Sequence, residues 1–558
     1  MSGFLYIHAD GTVIARSDVS GYESVQAILG QFAELSQQLD PIHVYRLHPL
    51  SLWQAAARGL TTDEVLRFLR RHAVHPLPLS LQLTIQKEMS KWGQLELVMG
   101  EDGAYMMLHG AAGLLEELSR SAPLTHWAMN STQRGIRFRP EQRADVKRAL
   151  ARLGYPVLDR AGYHMSSPLD ISARDSLRLR DYQQEAVAAF FADGSGQSGI
   201  IVLPCGAGKT VVGIAILAQL KRHALILTPG EEAAGQWKRE LQRWTEIAEE
   251  AVSIYDPRRR PSPVTITTYQ RVAARSKTGL HRNLETLTRH PWGLVIYDEV
   301  HVLPAPLFRL AAELQGVRRL GLTATLVRED GLAADVFSLI GPKLYEAQWK
   351  PLERDGYLAP VTCVEIDVPW HSQDYERYRV AGIRERHRVA SENRAKVAVV
   401  CELVQRHSEA KILIFGHYVE SLSMISHAVG CPLITGRTPK TQREDLYESF
   451  REGRVRVLAL SRVANMAIDL PAATVAIQVS GLFGSRQEEA QRLGRLLRPA
   501  GGSGMFYTLV TEQSVEQEKA RHRQMFLVEQ GYRYEKVHAG NVSWLEGVSI
   551  GALDGVPE

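Results

Sequence analysis

A glycine loop between an apolar run and a helical segment is the first feature of this sequence that could do chemistry. The segment IVLPCGAGKT covers residues 201–210 and leads into the apolar stretch VVGIAILAQL. Its glycines let successive backbone N–H groups surround a phosphate, Lys209 brings a charge to the β and γ phosphate oxygens, and Thr210 offers a hydroxyl to Mg²⁺. The strict phosphate-loop formula has glycine where this chain has Leu203. The pattern predicts an ATP site formed by Pro204, Cys205, Gly206, Ala207, Gly208, Lys209 and Thr210.

Two acidic residues end another apolar run, GLVIYDEVH, which covers residues 293–301. Ligands of open parallel sheets bind at the carboxyl ends of the strands, so Asp298 and Glu299 are expected at the nucleotide site. Asp298 is expected to hold Mg²⁺ through its water shell, while Glu299 orients and deprotonates the attacking water. Acids that merely keep a strand end solvated are the alternative. Together with the glycine loop, this pair predicts Mg²⁺-dependent ATP hydrolysis.

A basic segment late in the chain, QEEAQRLGRLLRP, contains Gln491, Arg495 and Arg498. Arginines three residues apart lie on one face of a helix, from which they could reach a γ-phosphate across a cleft. An ordinary basic helix surface is the alternative for this segment taken alone. If a second domain supplies these arginines, ATP hydrolysis depends on whether the two domains have closed on each other. Such a dependence is typical of a motor protein.

The elements that must position these residues are short apolar strands alternating with helical segments. From residue 177 onward, strands are expected in the runs GIIVLP, ALILTP, VTITTY, GLVIYDE and RRLGLTAT. A second series follows as KILIFG, PLITG, VRVLALS, ATVAIQVS and MFYTLV. Runs rich in Val, Ile and Leu that are each followed by a helix predict parallel sheets buried on both faces. We therefore expect two α/β lobes in succession, with the break near residues 345–360.

The amino-terminal part of the chain mixes strand-like and helical pieces and offers no catalytic constellation. Two helices are predicted in the segment RLHPLSLWQAAARGLTTDEVLRFLRRHA. Ser51 is expected to cap the first helix and Gly59 to end it. The second helix is expected to be capped by Thr61 or Thr62, with Glu64 in its first turn.

The composition is that of a globular chain. Of its 558 residues, 45% are hydrophobic and 23% are charged, and the net charge of +4 permits a nucleic-acid partner without demanding one. The length indicates roughly three or four domains. Neither a signal peptide nor a membrane span is recognisable, and four cysteines without a C-x-x-C pair argue against disulfides and zinc or iron–sulfur sites. We expect a soluble protein of the cytoplasm, without a membrane partner.

Taken in order, the motifs of the chain resemble those of superfamily 2 helicases. They are R-D-Y-Q at 180–183, LPCGAGKT, LTPGEEAAGQW, TTYQ, DEVH, LTAT, VRED, ITGRTP and QRLGRLLRP. DEVH followed by TAT and RED is similar to the XPB group in its bacterial form, and so is PLSLWQAAARGLTTDEVLRFLRRHAVHPLP. The resemblance extends from residue 45 to residue 530. It implies an ATP-dependent 3′–5′ DNA helicase or translocase that opens or remodels duplex DNA in DNA repair.

The resemblance also implies the architecture. The expected fold is an α/β protein with two tandem RecA-like parallel-sheet lobes, a mixed α+β amino-terminal domain and a short helical thumb insertion. The amino-terminal domain is expected to recognise DNA or serve as an accessory. The boundaries that we assign are 1–168 for the amino-terminal domain, 169–345 for lobe 1, 346–535 for lobe 2 with the thumb-like insert at 371–396, and 536–558 for a tail.

Further residues of the ATP site are implied by the resemblance alone. Gln183 is expected to bind the adenine through paired amide hydrogen bonds, and Arg180 is expected to stack on it. Asp469 makes a ribose or coupling contact, and Gln491 completes the site. Coupling between the nucleotide and the strand-binding face is assigned to His301, Thr323 and Thr325.

One motif departs from the pattern of the group. The segment RVANMAIDLP carries Ala464 and Met466 where the group has a glycine and a small polar residue. Asp469 is retained, so ATP hydrolysis is still expected. The departure therefore bears on whether ATP hydrolysis is coupled to DNA, and not on hydrolysis itself.

The resemblance places the DNA contacts on backbone-binding residues. Threonine hydroxyls and amides at helix starts can hold phosphates without reading bases, which suits a sequence-blind motor. The resemblance assigns the RED triplet to unwinding of duplex at the fork. A physical account of this role is that arginine can contact a phosphate while the acids repel the displaced strand. A solvated loop is the alternative for this triplet. The residues assigned to DNA are Thr228, Pro229, Thr268, Tyr269, Arg328, Glu329, Asp330, Thr435 and Gly436.

The thumb-like insert is rich in arginine. Arg377, Arg384 and Arg388 fall at helical spacing on one face, which predicts a grip on the phosphate backbone. Interleaved glutamates make a salt-bridged, exposed helix the alternative. Single-stranded and forked duplex DNA are the expected partners. A nuclease or another repair protein is expected to dock on the amino-terminal domain or the thumb.

Three other functions stay open at this point. The first is an RNA helicase, since lobes of this kind bind a nucleic-acid backbone. The second is a restriction-type motor that moves along double-stranded DNA without separating its strands. The third is a non-catalytic DNA-binding scaffold, against which the set Lys209, Asp298, Glu299 and Arg495 argues.

Overall fold

The chain divides into two compact units. Its computed structural model describes every residue except 1–2, 40, 101–102, 133, 162–165, 193, 195–196, 276–280, 301–313, 315, 325–332, 462–472, 482–485, 495, 497–502 and 540–558. Unit 1 comprises Met1–Leu203 and Gly208–Ala347, and unit 2 comprises Pro204–Ala207 and Gln348–Glu558. Among the described residues, no helix has both the length and the apolar character that crossing a membrane requires.

The amino-terminal part of unit 1 carries two small sheets with helices. The first sheet has four antiparallel strands in the order β1-β2-β4-β3, namely β1 Leu5–Ile7, β2 Thr12–Arg16, β3 Glu34–Leu39 and β4 Ile42–Arg46. The second has five strands in the order β7-β8-β6-β5-β9, namely β5 Glu96–Met99, β6 Met106–His109, β7 Asn130–Thr132, β8 Gly135–Phe138 and β9 Leu158–Asp159. The helices are α1 Tyr22–Leu29, α2 Pro49–Ala57, α3 Thr62–His72, α4 Leu79–Ser90, α5 Ala112–Ser119, α6 Ala122–Thr125 and α7 Arg143–Arg152. The expected mixture of strands and helices is confirmed.

The cap of helix α2 lies three residues before its expected position. His48 caps it, because the His48 Nδ1 atom accepts from the Ser51 N–H at 3.3 Å while the Ser51 hydroxyl oxygen accepts from the His48 N–H at 3.3 Å. The prediction that Ser51 caps this helix is therefore wrong. Pro49 occupies the first helical position, where its missing N–H has no intrahelical partner to lose. Gly59 follows the helix end with φ of 88°, as expected for the glycine that ends it.

Helix α3 begins with the predicted capping box. The Thr61 hydroxyl accepts from the Glu64 N–H at 3.3 Å, and the Glu64 carboxylate accepts from the Thr61 N–H at 2.8 Å. Of the two threonines considered, Thr61 is the cap and Thr62 is the first helical residue.

The rest of unit 1 is built on a sheet of seven parallel strands. The strand order is β12-β13-β11-β14-β15-β10-β16, with β10 Gly199–Val202, β11 Ala224–Thr228, β12 Val252–Ile254, β13 Val264–Thr268, β14 Trp292–Asp298, β15 Gly316–Thr323 and β16 Lys343–Glu346. The helices are α8 Asp181–Phe190, α9 Lys209–Leu220, α10 Glu231–Trp244, α11 Tyr269–Ala273, α12 Arg282–Thr288 and α13 Ala333–Leu339. Every residue of β10, β11, β13 and β14 is buried, as expected for parallel strands covered on both faces.

Unit 2 carries a second sheet of seven parallel strands. The strand order is β19-β20-β18-β21-β22-β17-β23, with β17 Val361–Val368, β18 Ile412–Gly416, β19 Leu433–Ile434, β20 Val457–Ser461, β21 Val475–Gln478, β22 Gly504–Thr511 and β23 Tyr534–His538. The helices are α14 Trp349–Arg354, α15 Ser372–Val380, α16 Ile383–Ser391, α17 Ala395–Arg406, α18 Val419–Val429, α19 Lys440–Arg451, α20 Arg486–Leu493 and α21 Val515–Glu529. Two seven-stranded parallel sheets in succession confirm the predicted tandem RecA-like lobes.

The thumb-like insert consists of two short helices rather than one. Ala381 and Gly382 have extended backbones between α15 and α16 and break the helical pattern. Arg377 lies on α15, whereas Arg384 and Arg388 lie on α16. The prediction that the three arginines share one helical face is therefore wrong.

Candidate nucleotide-hydrolysis site

The glycine loop follows β10 and leads directly into α9, in the predicted order of strand, loop and helix. Gly206 and Gly208 have φ of 83° and 80°, a backbone region that favours glycine. A Cβ atom at Gly208 would lie 2.5 Å from the Gln183 Nε2 atom, so a side chain at this position would require Gln183 to move. Lys209 and Thr210 form the first turn of α9, where the helix N-terminus favours a phosphate. Pro204, Cys205 and Ala207 complete the loop.

Lys209 and the two acids lie together at the carboxyl edge of the unit 1 sheet. The Lys209 Nζ atom is 3.2 Å from the Glu299 Oε1 atom, and Asp298 is the last residue of β14. A carboxylate and the Thr210 hydroxyl are oxygen donors of the kind that Mg²⁺ prefers. The described residues of unit 1 therefore fit an Mg²⁺–nucleotide.

Asp298 is almost fully buried, with 9% of its surface exposed. Burial, and next the negative charge of Glu299, raise the pKa of the Asp298 carboxyl to about 7. The Trp237 Nε1–H donates to the Asp298 Oδ2 atom at 2.9 Å and lowers this pKa in part. A cation at this carboxylate would favour the ionised form further.

Glu299 has a left-handed backbone, with φ of 49°. This conformation is unfavourable for a residue with a Cβ atom, and such residues cluster at functional sites. It occurs where the chain leaves β14. The carboxylate that it presents faces Lys209.

Arg180 and Gln183 cap α8 beside the glycine loop. The Arg180 N–H donates to the Gln183 Oε1 atom at 3.0 Å, and the Arg180 guanidinium donates to the Tyr182 hydroxyl at 3.2 Å. Gln183 is buried against Gly208. The structure therefore brings Gln183 to the nucleotide site, while adenine binding by this pair stays a prediction.

Thr323 is linked to the start of the glycine loop. It is the last residue of β15 and is fully buried. Its carbonyl oxygen accepts from the Leu203 N–H at 3.0 Å. The coupling role assigned to Thr323 stays a prediction, now with a direct backbone contact to the strand that precedes the phosphate loop.

Three residues expected on the strand-binding face have buried side chains. Thr228 is fully buried and its hydroxyl lies within donating distance of the Gly230 and Thr267 carbonyl oxygens, at 3.1 and 3.2 Å. Thr268 is buried and its hydroxyl oxygen accepts from the Arg271 N–H at 3.2 Å.

Tyr269 is buried too, and its hydroxyl donates to the Asp298 carbonyl oxygen at 2.7 Å. The side chains of Thr228, Thr268 and Tyr269 are thus occupied inside unit 1. DNA binding at these positions, for which backbone amides were also considered, stays a prediction. Pro229 is half-buried.

In unit 2, Thr435 and Gly436 follow β19 in a turn. The Thr435 N–H donates to the Thr438 hydroxyl at 3.0 Å, and the Thr435 hydroxyl oxygen accepts from the Arg437 N–H at 3.2 Å. Thr435 is half-buried and Gly436 is exposed. DNA binding by this turn stays a prediction.

Helix α20 is anchored to the unit 2 sheet by buried polar residues. The Arg492 guanidinium donates to the Ser480 carbonyl oxygen at 3.0 Å and to the Gln478 amide oxygen, and Glu489 accepts from the Tyr534 hydroxyl at 3.1 Å. The helix ends at Leu493, before the two arginines expected to share its face.

The predicted residues that lie outside the described part of the chain are His301, Thr325, Arg328, Glu329, Asp330, Asp469, Arg495 and Arg498. For Gln491 and Arg384, the structure describes the helical backbone but not the side chain.

Arg377 and Arg388 of the thumb-like insert are engaged in ion pairs. The Arg377 guanidinium lies 3.3 Å from the Asp374 carboxylate. Arg388 lies 2.9 Å from Glu392 and 3.4 Å from Glu420. These contacts favour the alternative of salt-bridged, exposed helices over a dedicated grip on DNA.

Comparison with known proteins gives the family. Residues 352–545 match the model described as ERCC3/RAD25/XPB C-terminal helicase, residues 176–328 match Type III restriction enzyme, res subunit, and residues 5–133 match Helicase conserved C-terminal domain. The chain is 43% identical to a Mycobacterium tuberculosis protein named DNA 3′-5′ helicase XPB, over 95% of this chain and 97% of that protein. The chain belongs to the XPB family of superfamily 2 helicases.

Other XPB relatives match over a similar share of this chain. A Kineococcus radiotolerans protein, also named DNA 3′-5′ helicase XPB, is 42% identical over 97% of both chains. A Saccharomyces cerevisiae protein is 31% identical over 95% of this chain and 71% of its own length. That yeast protein is named general transcription and DNA repair factor IIH helicase/translocase subunit XPB/SSL2. The XPB match thus includes the amino-terminal part of the chain as well as both sheets.

One residue of the site was missed by sequence reasoning. Trp237 lies within the quoted motif LTPGEEAAGQW, yet only the first residues of that motif were assigned a role. Its position on α10 gives no local sign that it contacts the end of β14. The contact depends on β11 being the neighbour of β14 in the sheet.

Proposed function

We propose that this protein is an ATP-dependent 3′–5′ DNA helicase that opens or remodels duplex DNA in DNA repair. The observation that carries the proposal is the meeting of Lys209, Asp298 and Glu299 at the carboxyl edge of the unit 1 sheet. Its support from relatives is the 43% identity to a protein named DNA 3′-5′ helicase XPB. We place the enzyme in the cytoplasm, as expected for a chain that resembles the bacterial form.

Each residue at this edge has a chemical task in hydrolysis. The glycine loop surrounds the phosphates with N–H groups, and Lys209 neutralises charge on the β and γ phosphate oxygens. Bound Mg²⁺ would supply further neutralisation of the phosphate charge, and Thr210 and Asp298 would hold it, the latter through water. Glu299 orients the attacking water and removes its proton.

Unit 2 is proposed to complete the cycle. Arg495 and Arg498 are assigned to the γ-phosphate, so that hydrolysis responds to the approach of the second lobe. Motion along DNA then requires that the nucleotide-bound and nucleotide-free states differ in affinity for the strand, since equal affinities would shift nothing. We retain the residue boundaries 1–168, 169–345 and 346–535 for the amino-terminal domain and the two lobes.

Single-stranded and forked duplex DNA are the proposed partners, with a nuclease or another repair protein on the amino-terminal domain or the thumb. A translocase that moves on duplex DNA without separating strands is the second candidate. It is favoured by the name helicase/translocase that the yeast relative carries. An RNA helicase is less well supported, because the bacterial relatives are named as DNA helicases.

ATP turnover and strand separation test the proposal together. ATPase activity is measured without nucleic acid and with single-stranded DNA, forked DNA or RNA, beside unwinding of 3′-tailed and 5′-tailed duplexes. We expect stimulation by DNA and unwinding of the 3′-tailed duplex alone. Stimulation without unwinding, together with displacement of a triplex strand, would establish the duplex translocase instead. Stronger stimulation by RNA than by DNA would overturn the proposal.

Arg328→Ala is expected to leave DNA-stimulated ATPase within about twofold of wild type and to reduce fork unwinding at least tenfold. The reason is that the RED triplet is assigned to strand separation and not to the nucleotide. Arg318→Ala, in β15 of the same lobe, serves as the control arginine substitution. An equal loss of ATPase and unwinding in Arg328→Ala would make the triplet a structural element.

A further inference from the structure

A buried tryptophan touches both halves of the nucleotide site. Trp237, on α10, is 1% exposed, and its indole N–H donates to the Asp298 Oδ2 atom at 2.9 Å. The ring lies against α9, the helix that begins with Lys209. A Cβ atom at Gly213 of that helix would lie 2.6 Å from the Trp237 Cη2 atom, closer than side-chain carbons pack. The tryptophan therefore fills the space between the phosphate-loop helix and the acid at the end of β14.

The indole hydrogen bond acts on one oxygen of the carboxylate. A charged acceptor makes such a bond short and strong, and a buried carboxylate that loses it is left with an unsatisfied oxygen. The bond also fixes the plane of the carboxylate, because the ring itself is held by packing. An indole N–H can only donate, so it selects the accepting orientation of Oδ2.

A second side chain fixes the backbone of the same residue. The Tyr269 hydroxyl donates to the Asp298 carbonyl oxygen at 2.7 Å, and Tyr269 is the first residue of α11. Helices α10 and α11 follow β11 and β13, which are neighbours in the sheet with Thr228 opposite Thr268. Asp298 is thus held at its side chain from one helix and at its carbonyl from another.

We propose that Trp237 is a positioning residue for the magnesium site: its indole N–H holds the Asp298 carboxylate in the orientation that binds the water shell of Mg²⁺, with Tyr269 holding the backbone. The inference rests on the proposed function in assigning Mg²⁺–nucleotide to this site. It concerns how the ligand is oriented, and neither Trp237 nor Tyr269 is a catalytic residue.

The test is the Mg²⁺ dependence of nucleotide binding by the full chain. A fluorescent ADP analogue is titrated at increasing Mg²⁺, and the Mg²⁺ concentration for half-maximal binding is measured. Trp237→Phe keeps a buried aromatic ring on α10 and removes the N–H donor, so this concentration is expected to rise about tenfold. Binding of the analogue in the absence of Mg²⁺ is expected to stay within about twofold of wild type.

A matched control lies at the end of the same helix. The Trp244 indole N–H donates to the Glu240 carboxylate at 2.5 Å, four residues away along α10. Trp244→Phe therefore also removes an indole donor from a carboxylate, but at a position seven residues along α10 from Trp237. Its half-maximal Mg²⁺ concentration is expected to equal that of wild type, and a shift as large as that of Trp237→Phe would overturn the proposal.

Tyr269→Phe is the second variant, should Trp237→Phe fail to fold. It removes only a hydroxyl and is expected to raise the half-maximal Mg²⁺ concentration about threefold, because the carbonyl contact acts one step further from the metal. If the folded variants show unchanged Mg²⁺ dependence and a lowered melting temperature, the proposal is overturned, and Trp237 and Tyr269 serve only to pack the core. Binding of Mg²⁺–nucleotide requires no DNA, so a failure of the helicase proposal would appear as unstimulated ATPase and leave this result standing.

Discussion

Lys209→Ala is expected to lower ATP turnover about a thousandfold, the effect of losing one preorganised charge at the site where negative charge develops. The substitution leaves α9 intact, because alanine is the best helix former and the first-turn backbone N–H groups do not depend on the side chain. Among the described contacts, the substitution removes the ion pair with Glu299 at 3.2 Å, and the Glu299 side chain, which is 22% exposed, is expected to be hydrated after its loss. The melting temperature should therefore stay close to that of wild type.

The measurement is steady-state ATPase with DNA present, beside a thermal unfolding curve. Lys87→Ala is the control, since Lys87 is an exposed lysine of α4 in the same unit. It is expected to match wild type in both assays. Wild-type turnover in Lys209→Ala would refute the assignment of the phosphate loop. Loss of turnover with a collapse of the unfolding transition would show that Lys209 is needed for folding instead.

Glu299→Gln is expected to lower turnover roughly a thousandfold while nucleotide binding persists, because a positioned general base contributes on the order of 10²–10⁴-fold. The amide keeps the shape of the side chain but cannot take a proton. The substitution also removes the negative charge that is the second cause of the raised pKa of Asp298. That pKa should fall below about 7, so Asp298 stays ionised at lower pH than in wild type.

Two measurements separate these effects. Single-turnover hydrolysis reports the chemical step, and Mg²⁺-dependent binding of a fluorescent nucleotide across pH 5 to 8 reports the ionisation of Asp298. In wild type, binding should weaken as the pH falls through the pKa of Asp298, because protonation removes the metal ligand. In Glu299→Gln, this loss should occur at lower pH. The control is Glu285→Gln, which changes an exposed acid paired with Arg289 on α12. Turnover at the wild-type rate would exclude Glu299 as the base.

The sheets and the phosphate loop could be predicted because their signals are local. Strands such as β11 and β14 are buried at every residue, and this shows in the sequence as unbroken apolar runs. Strand β17 was missed because Glu365 and Asp367 interrupt its apolar residues. The glycine loop could be predicted for a similar reason, since its strand, glycines and helix are contiguous in the chain.

The contacts around Asp298 could not be predicted, because they depend on the order of strands in the sheet. Trp237 and Tyr269 come from segments that follow β11 and β13, and only the order β13-β11-β14 brings both to the end of β14. Tyr269 was assigned to DNA from its motif, whereas burial turns its hydroxyl inward. The thumb arginines show the opposite error, since a helical spacing carried across Ala381 and Gly382 assumed one helix where the chain forms two.

At Glu299, the residue that would give the most stable backbone is not the residue that turnover requires. With φ of 49°, a side chain here is expected to lose on the order of 1 kcal/mol of folding free energy relative to glycine. A glycine at 299 would relax the end of β14 and abolish the base. The acid at residue 299 is therefore retained at a cost in folding free energy. A search for more stable variants of this chain would select glycine at this position and thereby inactive enzymes.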